Sequence, residues 1–264
     1  MEYTQIAVAR QGAVRTITLN RPDIRNVITG PEIIEELCHA LAAADSDDSV
    51  SALVLTGAGS AFSAGGNVKE MAEQTGMFSG SPAEIAESYR NGIQRIPLAM
   101  AALSVPVIAA VNGPAIGAGN DLCCMADIRI ASANAKFGET FASLGLIPGD
   151  GGAFFLPRIL GYPKALELAL TCRILDAGQA LAIGLVNEVV PPDQLLPRAL
   201  AVASEIAAKP RATIRMTKRL FQAARTATLQ EILDMSAACQ GACHHLPEHR
   251  VAAKAFMEKQ KTKK

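Results

Sequence analysis

This chain of 264 residues predicts an α/β fold, and three observations carry that prediction. Strand-like and helix-like stretches alternate as far as Pro191. Two apolar runs, Ala52–Thr56 and Val107–Val111, each enter a glycine-rich turn that opens a helix, the signature of strand, turn and helix in a layered domain. Beyond Pro191-Pro192 only helical patterns remain, so 1–191 reads as a sheet-bearing core and 192–264 as a helical region.

The elements follow in order. Ile6–Arg10 and Ala13–Leu19 alternate in character around Gln11-Gly12, which makes a hairpin. Asn20-Arg-Pro-Asp-Ile-Arg-Asn26 is a loop with a proline. Thr29–Ala44 is an amphipathic helix capped by Thr29, with Ile33, Ile34, Leu37 and Leu41 on one face, and the acidic loop Asp45–Asp48 ends it. The Gly/Ser-rich span Thr75–Pro82 reads as a mobile cover over a pocket, and Glu84–Leu103 as one helix. After Val107 the chain predicts a helix through Leu122–Met125, a strand at Asp127–Ala131 and an extended piece at Lys136–Gly138. Helices are predicted over Ala153–Leu160, Pro163–Thr171 and Asp176–Ile183, then a strand over Gly184–Val190. Four more helices follow: Gln194–Ala208, Pro210–Ala224, Leu229–Cys243 and Glu248–Lys261.

Composition narrows the function. Half the residues are hydrophobic and 19% are charged, as in an ordered globular protein, and the formal net charge is zero. Lysine and arginine are scattered except in the tail Lys259–Lys264, read as a solvated end, so nucleic acid is set aside. Met1–Arg10 lacks an apolar run of signal-peptide length. The charge-free stretch Ile96–Asn120 is broken by Pro97, Pro106, Asn112, Gly113 and Pro114, so no membrane partner is expected and a cytoplasmic location is. Six cysteines without CxxC pairing read as buried reduced thiols. Cys239, Cys243, His244, His245 and His249 have partial metal-ligand spacing, but Pro247 breaks the second turn, so no metal is expected. Gly57-Ala-Gly59 and Gly117-Ala-Gly119 lack the third glycine of a dinucleotide fingerprint, the place being taken by Phe62 and Leu122.

The two glycine-rich turns, AFSAGGNVKE at 61–70 and VNGPAIGAGNDL at 111–122, hold the chemistry. The first amides of a helix lack intrahelical partners, and the helix dipole makes that end partly positive, so two such turns can aim N–H groups at one oxygen. The same small residues would also let backbones pack closely. Together the turns resemble the crotonase (enoyl-CoA hydratase/isomerase) family, and FGETF, LGLIPGDGG, GLVNEVVP and AFMEK extend the match over nearly the whole chain. The resemblance implies a spiral of ββα units whose helical tail packs on a neighbouring subunit, giving homotrimers or dimers of trimers. It implies an acyl-CoA substrate, with coenzyme A as part of the substrate and no permanent cofactor.

By that resemblance Gly66 and Ala118 donate the N–H groups of an oxyanion hole, Ala118 standing where many relatives carry glycine. Ala64, Gly65, Gly66, Asn67, Val68 and Lys69 flank the ligand, and Arg25 lies near the nucleotide end of coenzyme A. Asp121, three residues past Ala118, matches the family's first catalytic acid, usually glutamate; it is also placed as a dipole-favoured first-turn aspartate. The second acid of the hydratases falls at Phe141, which cannot transfer a proton. Asp150, between glycines, is the expected replacement, with an N-cap of the following helix as the other reading. Glu139 ranks behind it. If Asp121 and Asp150 share one dry pocket, at least one ionises well above free aspartate. Enoyl-CoA hydration is the expected reaction; double-bond isomerisation and a non-catalytic CoA-binding homologue are the alternatives.

Overall fold

The computed structural model describes residues 1–261, with side chains through Glu258. The tail Lys259–Lys264, read above as a solvated end, lies outside the described side chains. The chain opens with the hairpin β1 (Ile6–Gln11) and β2 (Val14–Leu19), then α1 (Pro31–Ser46), β3 (Ala52–Gly57), α2 (Val68–Glu73), α3 (Pro82–Asn91) and α4 (Arg95–Ala102). Next come β4 (Val107–Val111), β5 (Ala115–Ile116), α5 (Ala118–Met125), β6 (Ile128–Ser132), β7 (Lys136–Gly138), α6 (Gly152–Leu160) and α7 (Tyr162–Thr171). β8 (Leu175–Asp176), α8 (Ala177–Ala182), β9 (Glu188–Val190), α9 (Leu195–Ala207), α10 (Arg211–Ala223), α11 (Leu229–His245) and α12 (Pro247–Lys261) complete it.

Six strands form one sheet in the order β1-β2-β3-β4-β6-β9, parallel except for the β1–β2 hairpin, and β5-β7-β8 form a smaller sheet. β3 and β4 are continuous apolar runs because both of their faces are covered. Side chains alternate between those faces. Leu53, Leu55, Val107, Ala109 and Val111 point into the main core, while Ala52, Val54, Ile108 and Ala110 meet Leu195, Ala199 and Ala203. These last three recur every four residues, one stripe of α9, so the first helix beyond Pro191-Pro192 covers the sheet directly.

The structure corrects several expectations. Thr29 does not cap α1: Gly30 is the N-cap with no side-chain bond, and the buried Thr29 hydroxyl accepts from the Asn67 amide at 3.1 Å. The helix predicted over Glu84–Leu103 is two, α3 and α4. Gly92 breaks it with φ −105° and ψ −116°, and Pro97 sits in the first turn of α4, where its missing N–H costs nothing. The last strand of the sheet holds only Glu188–Val190, because Gly184 and its neighbours turn out of α8. All six cysteines are free thiols, but only Cys123 and Cys124 are buried. Among the described residues no helix is long and apolar enough to cross a membrane.

Candidate active site

β3 and β4 run parallel and adjacent, with Thr56 opposite Ala110, so the turns that leave their carboxyl ends emerge side by side. The two turns interlock. Phe62 and Ser63 amides donate to the Pro114 carbonyl at 3.1 Å each, and the Ile116 amide donates to the Ser63 carbonyl at 3.0 Å. Buried Asn26 latches the first turn by donating to the Ala58 and Ala61 carbonyls at 2.9 Å. Gly65, at φ +81°, leaves no room for a side chain: a Cβ there would strike the Ile116 carbonyl and stand 2.9 Å from the Ala118 nitrogen. That contact brings the two predicted donor segments together.

Most amides around the junction are already used. Gly65 donates to Ser63 Oγ at 3.1 Å, Asn67 to Thr29 Oγ1, and Gly117 to the Gly138 carbonyl at 2.8 Å. The Gly66 and Ala118 amides have no acceptor among the described residues. Asn67 caps α2, its Oδ1 accepting from the Glu70 amide at 3.4 Å, whereas Val68 and Lys69 are exposed. Arg25 is exposed in a left-handed turn at φ 54°, and its carbonyl accepts from the Ala64 amide at 2.8 Å, which sets this loop beside residues 64–66.

Three carboxyl groups come from α5, the end of β7 and the loop before α6. Asp121 is fully buried in the first turn of α5, and its Oδ2 accepts from the Gly152 amide at 2.9 Å instead of capping its own helix. Asp150 is also buried, and the N-cap of α6 is Gly151, so the capping reading of Asp150 does not hold. The sequence ranks Glu139 behind Asp150. Glu139 sits just past β7, almost fully buried, accepting at Oε2 from Asn120 Nδ2 at 2.9 Å, and its Oε1 and Asp121 Oδ1 both lie over Gly152. Phe141 is half-buried, its ring about 3.8 Å from where a Gly117 Cβ would be.

Burial, the Glu139 charge and the Glu139 hydrogen bond hold the Asp121 carboxyl well above the ordinary aspartate range. Burial and the Glu139 charge push Asp150 up to about 7. Burial also raises Glu139, opposed by its bonds from Asn120 and Asp121. Asp121 is thus held well above the ordinary range while Asp150 titrates near neutrality, a separation that acid–base chemistry can use.

Two cavities flank this cluster. One, of about 380 Å³, is lined by Met71, Phe78, Ile85, Tyr89, Leu144 and Leu146, and so draws on the Thr75–Pro82 and α3 region; the other, of about 290 Å³, lies against α6 and α7 and reaches Glu139 and Gly152. At the far end of the chain His244 Nδ1 lies 3.1 Å from His249 Nε2, and among the described residues no group of three or more His, Cys, Asp or Glu is arranged to hold a metal.

A family-wide sequence profile described as enoyl-CoA hydratase/isomerase matches residues 9–263. The chain belongs to the enoyl-CoA hydratase/isomerase, or crotonase, family. It is 33% identical over 264 residues to the short-chain-enoyl-CoA hydratase of Clostridium acetobutylicum, covering 99% of this chain and 97% of that protein. It is 35% identical over 247 residues to the 1,2-epoxyphenylacetyl-CoA isomerase of Escherichia coli, covering 93% and 92%. The structure of an enoyl-CoA hydratase from Mycobacterium smegmatis superposes with a TM-score of 0.89 at 31% identity, over 97% of each chain. The crotonase fold accounts for the mixed sheet and the C-terminal helices, and the family acts on coenzyme A thioesters.

Proposed function

We propose that this protein hydrates enoyl-CoA thioesters. The reading is carried by two unoccupied amides, Gly66 and Ala118, on interlocked turns, with the buried carboxyls Asp121 and Asp150 as the acid–base pair. The thioester oxygen accepts from both amides, each worth about 3 kcal/mol when that oxygen becomes an enolate. Asp150, titrating at about 7, orients a water and takes its proton as the hydroxyl adds to the β-carbon. Asp121, protonated at rest, gives its proton to the α-carbon. Proton return from Asp150 to Asp121 then restores the starting site, so water is consumed and nothing else is. The relative from Clostridium acetobutylicum, by its name a hydratase, supports the same reaction.

Arg25 and the 64–69 segment carry the coenzyme A end of the substrate, and the cavity under Met71, Phe78 and Tyr89 takes the acyl group. Exposed apolar residues on the tail, Phe221, Leu229 and Leu233 among them, join copies of the chain into a cytoplasmic trimer or dimer of trimers.

Double-bond isomerisation is the second reading. Phe141, at the place of the hydratases' second acid, favours it, because Asp121 and Asp150 can pass one proton between the α- and γ-carbons without water. Crotonyl-CoA and a 3-enoyl-CoA separate the two readings. Hydration removes the conjugated thioester absorbance of the first; isomerisation creates it from the second and leaves the first unchanged. Inactivity on both sinks the enzymatic reading.

A further inference from the structure

Asp121 and Glu139 each spend one oxygen on a protein donor and leave the other unspent. Asp121 Oδ2 takes the Gly152 amide at 2.9 Å and Glu139 Oε2 takes Asn120 Nδ2 at 2.9 Å. Asp121 Oδ1 and Glu139 Oε1 are buried with no donor. Both crowd the space above the Gly152 Cα, where a Cβ would strike each of them, so the two unspent oxygens face one another across a glycine that leaves them room.

Two ionised carboxylates placed that way in a dry site repel each other and leave both oxygens unsatisfied, whereas one proton between them meets both needs. We propose that Asp121 and Glu139 share a single proton between Asp121 Oδ1 and Glu139 Oε1, and that Glu139 is a positioning residue that keeps Asp121 loaded as the acid. The upward displacement of Asp121 has the Glu139 charge and hydrogen bond among its causes, after burial, which agrees with that geometry.

Each charged or titratable neighbour fits. Asp150, from the loop before α6, adds negative charge. Cys124 on α5 is a buried thiol held protonated by burial and by the Cys123, Asp121 and Glu139 charges, with Arg129 on β6 opposing them. Tyr89 on α3 faces Asp150 with its hydroxyl pushed up by burial and by that charge. Arg173 shares a small void with Glu139 and Asn120 but pairs with Glu167 at 3.2 Å. Among the described residues no Lys or Arg forms an ion pair with Asp121, Glu139 or Asp150, so nothing competes with the proton for the pair. Once Asp121 has donated, two bare carboxylates stand face to face, and their repulsion speeds recovery of the proton.

The catalytic consequence rests on the proposed hydration, but the shared proton does not, and the test separates them. Infrared spectra of the intact protein at about pH 8, a unit above the Asp150 ionisation, read protonated carboxyls directly through their carbonyl band. The wild type is expected to show one such band that survives Asp150→Asn and disappears in both Asp121→Asn and Glu139→Gln. The isosteric glutamine keeps the Asn120 bond and donates to Asp121 Oδ1, which favours the ionised aspartate. Glu139→Gln is further expected to lower kcat for crotonyl-CoA by about tenfold to a hundredfold at unchanged KM, with the loss smallest at low pH. Absence of the band in the wild type, or its persistence in Glu139→Gln, overturns the inference. A band that behaves as expected in a protein inactive on every enoyl-CoA upholds the shared proton and rejects the hydratase reading.

Discussion

At the scale of single residues, Asp150 couples function to stability with a definite sign. Its folded pKa of about 7 lies above the ordinary 3.8, so the folded state holds the extra proton between those values. Stability is therefore greatest below about 4 with respect to this group and falls as pH rises toward 7. The full shift corresponds to a penalty on the order of 4 kcal/mol once the buried carboxyl must ionise. Asp150→Asn removes the need to bury that charge. Thermal melts at about pH 8 are expected to show the variant more stable than the wild type while the proposed hydration is lost, the trade-off expected if the carboxyl serves that chemistry. An unchanged melting temperature would mean that the carboxyl is not paying a burial cost. Gly66→Pro acts on a single amide: removing that N–H is expected to lower kcat by about 10²–10³-fold with the fold intact by circular dichroism. The same residue scale shows what sequence could not give. Asp121 and Asp150 were legible because a carboxylate beside a glycine-rich helix start suits proton transfer. The pairing of Glu139 with Asp121 was not, because it depends on β7 bringing its end against α5, a contact such as that of Asn120 with Glu139, nineteen positions apart and with no local signature.

At the scale of elements, most strands and helices were legible because hydrophobic period and turn residues agree. The Val107–Val111 run, the Gly117 turn and the tail helices fall where the pattern puts them. Failures have specific causes. Gly92 and Pro97, both visible in the sequence, divide α3 from α4, but the apolar spacing continues across them and conceals the break. Thr29 has the chemistry of a cap, yet its hydroxyl is drawn to Asn67, because Val27 bridges to Gly65 and sets the two loops together. The junction of the two glycine-rich turns is likewise a property of paired elements. Gly65→Ala adds a Cβ that collides with the Ile116 carbonyl at a positive φ. It is expected to cost about 1–3 kcal/mol in denaturant unfolding and to lower kcat more than any change in KM, since it spreads the amides of Gly66 and Ala118 apart. Normal kcat in that variant would show that the interlock does not set their spacing.

At the scale of the whole molecule, carboxyls outside the site shape stability in the opposite sense to those within it. Asp45, near the end of α1, accepts from the Ser104 and Val105 amides at 3.0 and 2.8 Å and pairs with Arg215 of α10 at 2.9 Å, joining the helical tail to the core. Lys218 of α10 adds a second tie, to Asp127 at 2.6 Å. Although burial raises Asp45, the backbone, Ser104 and Arg215 contacts together hold its pKa below 3.8. Its contribution is therefore present above about 4 and lost as pH falls through the depressed value. Glu36 behaves alike, because its carboxylate accepts from the Thr4, Gln5 and Ile6 amides and fastens β1 to α1. The raised acids Asp121 and Asp150 lose stability in the other direction, as pH climbs above 4. Opposed slopes place the stability maximum well on the acid side of neutrality, at about pH 4, for a protein whose sequence pI is 6.9. Calorimetric unfolding across pH checks this. Asp45→Asn is expected to cost about 1.5–3 kcal/mol near pH 6 and to flatten only the acid limb, since its hydrogen bonds to a charged group are lost only where that charge exists. Asp150→Asn is expected to flatten only the neutral limb. A maximum at or above pH 8 would contradict the assignment of buried, reluctantly ionised carboxyls at the centre of the fold.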